Sequence, residues 1–320
     1  MKVLLIAIEP ERIPSERLAE IRSIAMGYET LVSKNEEEIR SRHEDIEVVA
    51  GSIPHRLLIE LPNLRWYQQY GAGADWLMKH PETAERDFLL TNSSGVHAVP
   101  ITEHIMAYLL CFARGFKASI LGQGQRVWEE NRRQPLFELY GKRALLIGVG
   151  AIGARFAGVA SVFGMEVVGV RRTTGRRVEG ILRTVGPDSI DAELPEADFL
   201  VLTMPHTPET HHMIDERRIA LMKSSSYLVN IGRGGTVDEE ALVKALSERR
   251  IAGAGLDVFE TEPLPEGSKL WELENVIITP HYSGITPRYT ERFMEIFIDN
   301  LKRFVRGEAL RNLVDMNRGY

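Results

Sequence analysis

The chain has 320 residues, enough for roughly two domains at about 150 residues each. With 44% hydrophobic residues, 26% charged residues and a mean hydropathy of -0.15, it carries enough apolar surface to offset its ordering entropy, which argues against a disordered chain. Its 39 Lys+Arg against 45 Asp+Glu leave a net charge of -6 at pH 7, so no positive excess is available to drive binding to a phosphate backbone.

The first apolar run, 3–8, reads as a strand, because Glu9-Pro10 follows it with no small-residue cleavage pattern. After it, β-rich runs at 29–32 and 46–50 alternate with helical patterns at 15–25 and 36–41. Such alternation is a βαβ signature, and continuous apolar strands joined by helices imply a parallel sheet covered on both faces. A boundary is expected near Val99-Pro100, with Thr102 as N-cap of an apolar helix over 105–112. That helix contains the one cysteine, Cys111, which excludes an intramolecular disulfide and a cysteine-rich metal site and suits a reducing cytoplasm. No apolar stretch approaches the roughly 20 residues of a membrane span. A second α/β unit follows, with strands expected at 144–147, 167–170, 199–203, 227–231, 255–258 and 276–279, and a last amphipathic helix over 287–306 ends at Gly307.

The strand at 144–147 runs into Gly148-Val149-Gly150-Ala151-Ile152-Gly153 and a helical pattern, 154–163, which is the context a dinucleotide fingerprint requires. Gly148 would permit the tight turn, Gly150 the approach of a pyrophosphate, and Gly153 close packing of helix on strand, while the helix N-terminus offers unpaired N–H groups to the anion. A glycine-rich turn with no ligand is the plain alternative. Sites that prefer NAD place an Asp or Glu about 20 residues further on. This chain has Arg171-Arg172-Thr173 there; Arg176 and Arg177 extend the cluster, as a solvated basic turn would, but guanidinium forks at the end of that strand suit a 2′-phosphate, so NADP(H) is expected over NAD(H).

Downstream stand Ile231-Gly232-Arg233-Gly234-Gly235, then Gly255-Leu256-Asp257-Val258-Phe259-Glu260-Thr261-Glu262-Pro263, then Thr279-Pro280-His281. Taken with the fingerprint, these blocks resemble the D-isomer-specific 2-hydroxyacid dehydrogenase family, over nearly the whole chain. The resemblance implies two doubly wound, Rossmann/flavodoxin-like parallel-sheet domains with the active site in the interdomain cleft. Residues 1–99 and 287–320 would form a discontinuous substrate domain, and 100–286 the dinucleotide domain. It further implies hydride transfer between NADP(H) and a small 2-keto or 2-hydroxy acid such as glyoxylate or hydroxypyruvate, in a homodimer, with 105–112 either a contact helix or a core helix.

By the same resemblance His281 is the acid/base, Glu262 its carboxylate partner and Arg233 the cation that binds the substrate's carbonyl and carboxylate. Such a set answers the chemistry, since hydride addition to a keto acid leaves an alkoxide that needs both a proton and a positive neighbour. Asp257 resembles the residue that holds the nicotinamide carboxamide. Met204-Pro205-His206 and Thr210 resemble the loop that passes over the dinucleotide, and Ile231, Gly232 and Gly284 complete the expected cofactor contacts. His211 and His212 read as ordinary loop residues without metal-site spacing, and Ile105 stands where relatives often carry a cofactor-bonding Thr. In the first domain Ala72 and Gly73, within Tyr70-Gly71-Ala72-Gly73-Ala74-Asp75, resemble the turn whose amides bind the substrate carboxylate, and Ile53 a residue that touches the substrate's side chain. A competing reading is a dinucleotide-sensing, corepressor-like protein on the same fold, since fold alone does not fix function.

Overall fold

The structure, a computed structural model, describes residues 1–128, 136–175 and 177–316, and of Asp75 and Met78 only the backbone. It divides into two compact units, one of Met1–His97 with Thr286–Tyr320 and one of Ala98–Ile285.

In chain order the first unit begins β1 (Val3–Ala7), α1 (Ser15–Ile24), β2 (Glu29–Val32), α2 (Glu36–Ser41), β3 (Ile46–Gly51), α3 (His55–Glu60), β4 (Trp66–Gln69) and β5 (Leu89–Thr91). Asn35 caps α2 through its side chain, which accepts from the N–H groups of Glu37 and Glu38. The five strands are all parallel in the order β2-β1-β3-β4-β5. The five residues of β1 are fully buried, as a central strand with helices on both faces requires.

The second unit runs α4 (Ala98–Arg114), α5 (Phe116–Gln125), β6 (Arg143–Ile147), α6 (Ala151–Val162), β7 (Glu166–Val170), β8 (Arg183–Val185), α7 (Ile190–Glu193), β9 (Phe199–Leu202), α8 (Glu216–Leu221), β10 (Tyr227–Asn230), α9 (Glu239–Ser247), β11 (Gly253–Leu256) and β12 (Val276–Ile278). Its parallel strands follow β12-β11-β10-β9-β6-β7-β8, so the order reverses between β6 and β9. In an open α/β sheet the crevice beyond the strand carboxyl ends at such a reversal is where ligands bind. The chain then returns to the first unit as α10 (Tyr289–Arg306), which ends at Gly307 with φ +70°. Beyond it, Val314 N–H donates to Leu90 O at 2.9 Å beside the edge strand β5.

Two expectations need correction, those for Thr102 and for the strand at 255–258. Thr102 is no N-cap: α4 starts four residues earlier, with Pro100 in its first turn, where a missing N–H leaves no intrahelical bond unmade. Thr102 Oγ1 is instead buried without a hydrogen-bond partner. The stretch 105–112 is chiefly a core helix, since Ile105, Met106, Tyr108 and Leu109 are buried in one cluster with Phe156, Ala157 and Ala160 of α6. At about 1.5–3 kcal/mol for each fully buried large side chain, that packing holds the helix to its own unit. The exposed apolar face lies on α5, at Phe116, Ile120 and Leu121. The strand expected at 255–258 lies two residues earlier, because β-poor Gly253 and Gly255 serve close packing: a Cβ on Gly255 would come within 2.7 Å of the Tyr108 ring, and one on Gly253 within 2.5 Å of Asn275 O. Among the described residues no single helix is long and apolar enough to cross a membrane.

Candidate active site

The turn between β6 and α6 meets each requirement of a dinucleotide cradle. Gly148 has φ +101°, and a Cβ there would lie 2.7 Å from Met204 N, so the tight turn admits only glycine. Gly153 faces inward, where a Cβ would fall 2.4 Å from Gly148 O and 3.1 Å from Leu146 Cδ2, so helix and strand pack at the minimum distance. Gly150 differs: nothing lies within 4 Å of the place a Cβ would take, and this N-cap residue leaves open space over the first turn of α6. Ala151 and Ile152 open that turn, whose N–H groups have no intrahelical partner and favour an anion. These residues fit a bound pyrophosphate.

Around the cradle, Arg171 follows the last residue of β7 and its N–H donates to Val185 O at 3.1 Å, with Arg172 and Thr173 exposed after it. Arg176 lies outside the described residues. Beyond β9, Met204 is buried and Pro205 and His206 are exposed. Thr210 Oγ1 donates to Pro205 O at 2.8 Å and accepts from Thr207 N–H at 2.7 Å, so its hydroxyl folds the loop on itself. Ile231 and Gly232 are buried at the end of β10, where a Cβ on Gly232 would meet Met204 O at 2.7 Å. Ile105 is wholly buried among apolar side chains.

Arg233 sits in a loop that the chain fixes by its backbone. Its carbonyl accepts from Asn230 Nδ2 at 3.0 Å and from Thr236 Oγ1 at 2.7 Å, while Asn230 Oδ1 accepts from Gly232 N–H at 3.0 Å. Gly234 has no alternative, because a Cβ would fall 1.9 Å from the carbonyl carbon of Phe259. Glu262 is aimed by the same segment: its Oε1 accepts from Phe259 N–H at 3.0 Å, and its Oε2 lies 2.6 Å from His281 Nδ1. A carboxylate only accepts, so Nδ1 carries the hydrogen and the ring presents Nε2 outward. His281 itself has φ +49°, a left-handed backbone held by its N–H donating to Asp257 O at 2.9 Å. Arg233, Glu262 and His281 line one cavity of about 430 Å³ together with His206, His211, Gly234, Gly235, Phe259 and Glu260. That volume suits a small ligand beside part of a larger one.

Behind this wall lies a polar network that the sequence did not disclose. Asp257 is fully buried and accepts from Thr279 Oγ1 at 2.6 Å, Tyr282 N–H at 3.1 Å and Ser283 N–H at 3.1 Å. Its carboxylate thereby pins the loop that carries His281, a role besides the expected carboxamide contact; Gly284 follows immediately. Tyr108 OH and His104 Nε2 converge on the same Thr279 hydroxyl, the latter at 3.0 Å, and burial holds the His104 imidazole below its ordinary pKa. The one available signal was the i, i+4 spacing of His104 and Tyr108, which puts both on one helix face. His211, expected to be an inert loop residue, lines the cavity, with its Nδ1 3.1 Å from His206 Nε2. Next to it His212 stacks on His211 and reaches Glu260 Oε1 at 2.7 Å.

In the first unit, Ala72 and Gly73 follow β4 at its carboxyl end, the first half-buried and the second exposed. Ile53 is 4% exposed and packs in the core with Leu57, Leu58 and Tyr67, so contact with a ligand would require that core to open.

Parallel sheets, a glycine cradle at the strand-order reversal and an imidazole–carboxylate pair lining one cavity with an arginine define a nicotinamide-dinucleotide-dependent oxidoreductase. Residues 106–283 match the model of the D-isomer specific 2-hydroxyacid dehydrogenase NAD binding domain. A glyoxylate reductase of Thermococcus litoralis is 35% identical over 287 residues, covering 87% of this chain and 85% of that protein. A D-isomer specific 2-hydroxyacid dehydrogenase family protein of Aeromonas salmonicida superposes with a TM-score of 0.80 at 30% identity, over 98% of this chain and 99% of the other. The family's enzyme from Xanthobacter autotrophicus, solved with NADPH and MES, gives 0.81 at 26% identity over the full length of both chains. The chain belongs to the D-isomer-specific 2-hydroxyacid dehydrogenase family. It is a dehydrogenase acting on the CH–OH group of 2-hydroxy acids.

Proposed function

We propose that this enzyme works as an NADPH-dependent reductase of small 2-keto acids of the glyoxylate and hydroxypyruvate type. The observation that carries the reading is the 2.6 Å pair of His281 and Glu262 on the wall of the cavity that Arg233 also lines. When bound, the reduced dinucleotide supplies the hydride for the carbonyl carbon. His281 Nε2 gives its proton to the oxygen on which negative charge develops, and Glu262 keeps the ring turned and favours its charged form. Arg233 binds the carbonyl oxygen and the carboxylate, orienting the substrate and stabilising the growing charge. Ala72 and Gly73 offer backbone N–H groups to the carboxylate.

Gly150, Ala151 and Ile152 hold the pyrophosphate on the turn that Gly148 and Gly153 make possible, and Arg171 and Arg172 hold the 2′-phosphate, which a carboxylate at that place would repel. The relative crystallised with NADPH supports this choice. Two chains would pair through the exposed apolar face of α5, with Phe116, Ile120 and Leu121. The retained Arg, Glu and His favour an enzyme over a corepressor-like sensor. The test follows absorbance of NADPH and of NADH against a panel of 2-keto acids of increasing bulk. Turnover of glyoxylate with NADPH favoured is the expected result, and absence of turnover with every keto acid would overturn the reading.

A further inference from the structure

In and before the turn after β4 the carbonyl groups of Gln69, Tyr70, Gly71 and Gly73 are all engaged by hydrogen bonds. Ser93 Oγ donates to Gln69 O at 2.9 Å, Tyr289 OH to Tyr70 O at 2.6 Å, and Ser93 N–H to Gly71 O at 3.1 Å. The buried side chain of Gln69 adds the decisive pair: its Nε2 donates to Gly71 O at 2.9 Å and to Gly73 O at 2.6 Å. A trans peptide sets each carbonyl antiparallel to the N–H that follows it. Drawing the Gly71 carbonyl towards Gln69 therefore turns the Ala72 N–H the other way, and the bond to Gly73 O clamps the turn from its far end, with the Gly73 N–H between the two anchors.

The orientation of the Gln69 amide is itself fixed. Trp76 Nε1 donates to Gln69 Oε1 at 2.9 Å, and an indole N–H only donates, so the Gln69 oxygen must face the indole and its nitrogen the two carbonyls. Trp76 in turn lies flat on His55, with ring centroids 3.9 Å apart and planes 9° apart. His55 opens α3, two residues after Ile53.

We propose that Gln69, locked by Trp76, is a positioning residue that pre-orders the Gly71–Gly73 turn to receive the substrate's carboxylate. This rests on the reading of the chain as a 2-keto acid reductase. Pre-ordering spares the ligand the cost of arranging the backbone when it binds, so its loss shows in affinity for carboxylate ligands before it shows in the chemical step.

The test measures, for the unaltered protein and for Gln69→Leu, Gln69→Glu and Trp76→Phe, the KM and kcat for glyoxylate with NADPH. It adds the inhibition constant of oxalate, the Kd of NADPH and the melting temperature. Gln69→Glu keeps the shape and the indole bond but cannot donate to either carbonyl, so it carries the test if Gln69→Leu fails to fold. For both, KM and the oxalate constant should rise together by about tenfold, the worth of one lost hydrogen bond, with NADPH affinity unchanged and kcat within about threefold. Trp76→Phe, which leaves an aromatic ring to stack on His55 and removes the indole N–H, should give a smaller rise of the same kind. A lower melting temperature with KM and the oxalate constant unmoved would overturn the proposal and leave the reductase reading intact. Absence of keto acid turnover by the unaltered protein would overturn both.

Discussion

Replacing Asp257 by Asn tests whether this carboxylate holds the loop of His281 before any ligand arrives. The carboxylate accepts two hydrogen bonds on Oδ1, from Thr279 Oγ1 and Tyr282 N–H, and one on Oδ2 from Ser283 N–H. Asparagine is nearly the same shape but presents one acceptor. With its oxygen left towards Thr279 and Tyr282, the amide nitrogen faces the Ser283 N–H, donor against donor; flipped, it strands two donors instead of one. The cheaper arrangement forfeits one hydrogen bond to a charged group, about 1.5–3 kcal/mol. In a unit spanning Ala98–Ile285 that predicts a fall in Tm of about 3–10 °C for the ligand-free protein. Because His281 is held in a left-handed conformation at φ +49°, slack in the loop should also misplace the imidazole and lower kcat by about tenfold to a hundredfold. Thermal unfolding without dinucleotide and steady-state NADPH oxidation with glyoxylate measure the two effects. An unchanged ligand-free Tm would refute the anchoring argument, since a carboxylate whose only partner is a ligand contributes nothing in its absence.

Two glycines of the cradle should separate folding from binding. Gly148→Ala must be accommodated at positive φ against Met204 and should cost about 1–3 kcal/mol, seen as a lower Tm, whereas Gly150→Ala meets no atom within 4 Å and should melt normally yet bind NADPH about tenfold more weakly. A Gly150→Ala protein with unaltered NADPH affinity would contradict the placement of the pyrophosphate. Arg171→Asp should shift the NADPH-to-NADH ratio of kcat/KM towards NADH by about tenfold or more, and a ratio unmoved by the exchange would exclude that arginine from the 2′-phosphate site. Bonds from Arg217 and Arg218 hold the Asp191 carboxyl down to about 2, so its contribution to stability is complete above the ordinary value of 3.8 and is lost as pH falls towards 2. Asp191→Asn should therefore flatten the acid limb of a Tm-against-pH curve in that window alone.

Much of the fold was legible because it rests on local patterns. Buried parallel strands such as β1, and β6 after its first residue Arg143, are continuous apolar runs, and the glycines at 148, 150 and 153 each answer a separate steric demand. Reading failed where tertiary packing overrules propensity. The start of α4 was misplaced because Pro100 marks both a loop and a first helical turn, and β11 was shifted because Gly253 and Gly255 trade β propensity for the close approach of Tyr108 and Asn275. At the candidate site, Arg233, Glu262 and His281 were proposed through a family resemblance, since no local rule marks an arginine between glycines as functional, and the structure brings the three to one cavity. The supports were not found. Thr279 and His104 act through each other although 175 positions separate them, and such a meeting exists only once the sheet has formed, while the local contacts of Gln69 depend on a turn geometry that no residue pattern marks.

The central claim is that His281 is the proton donor in reduction of a 2-keto acid. Steady-state rates with glyoxylate and NADPH for the unaltered enzyme and for His281→Gln, with NADPH affinity measured separately, address it most directly. The account predicts a loss of about 10²–10⁴ in kcat with NADPH binding retained. Turnover within a few-fold of the unaltered enzyme would contradict it.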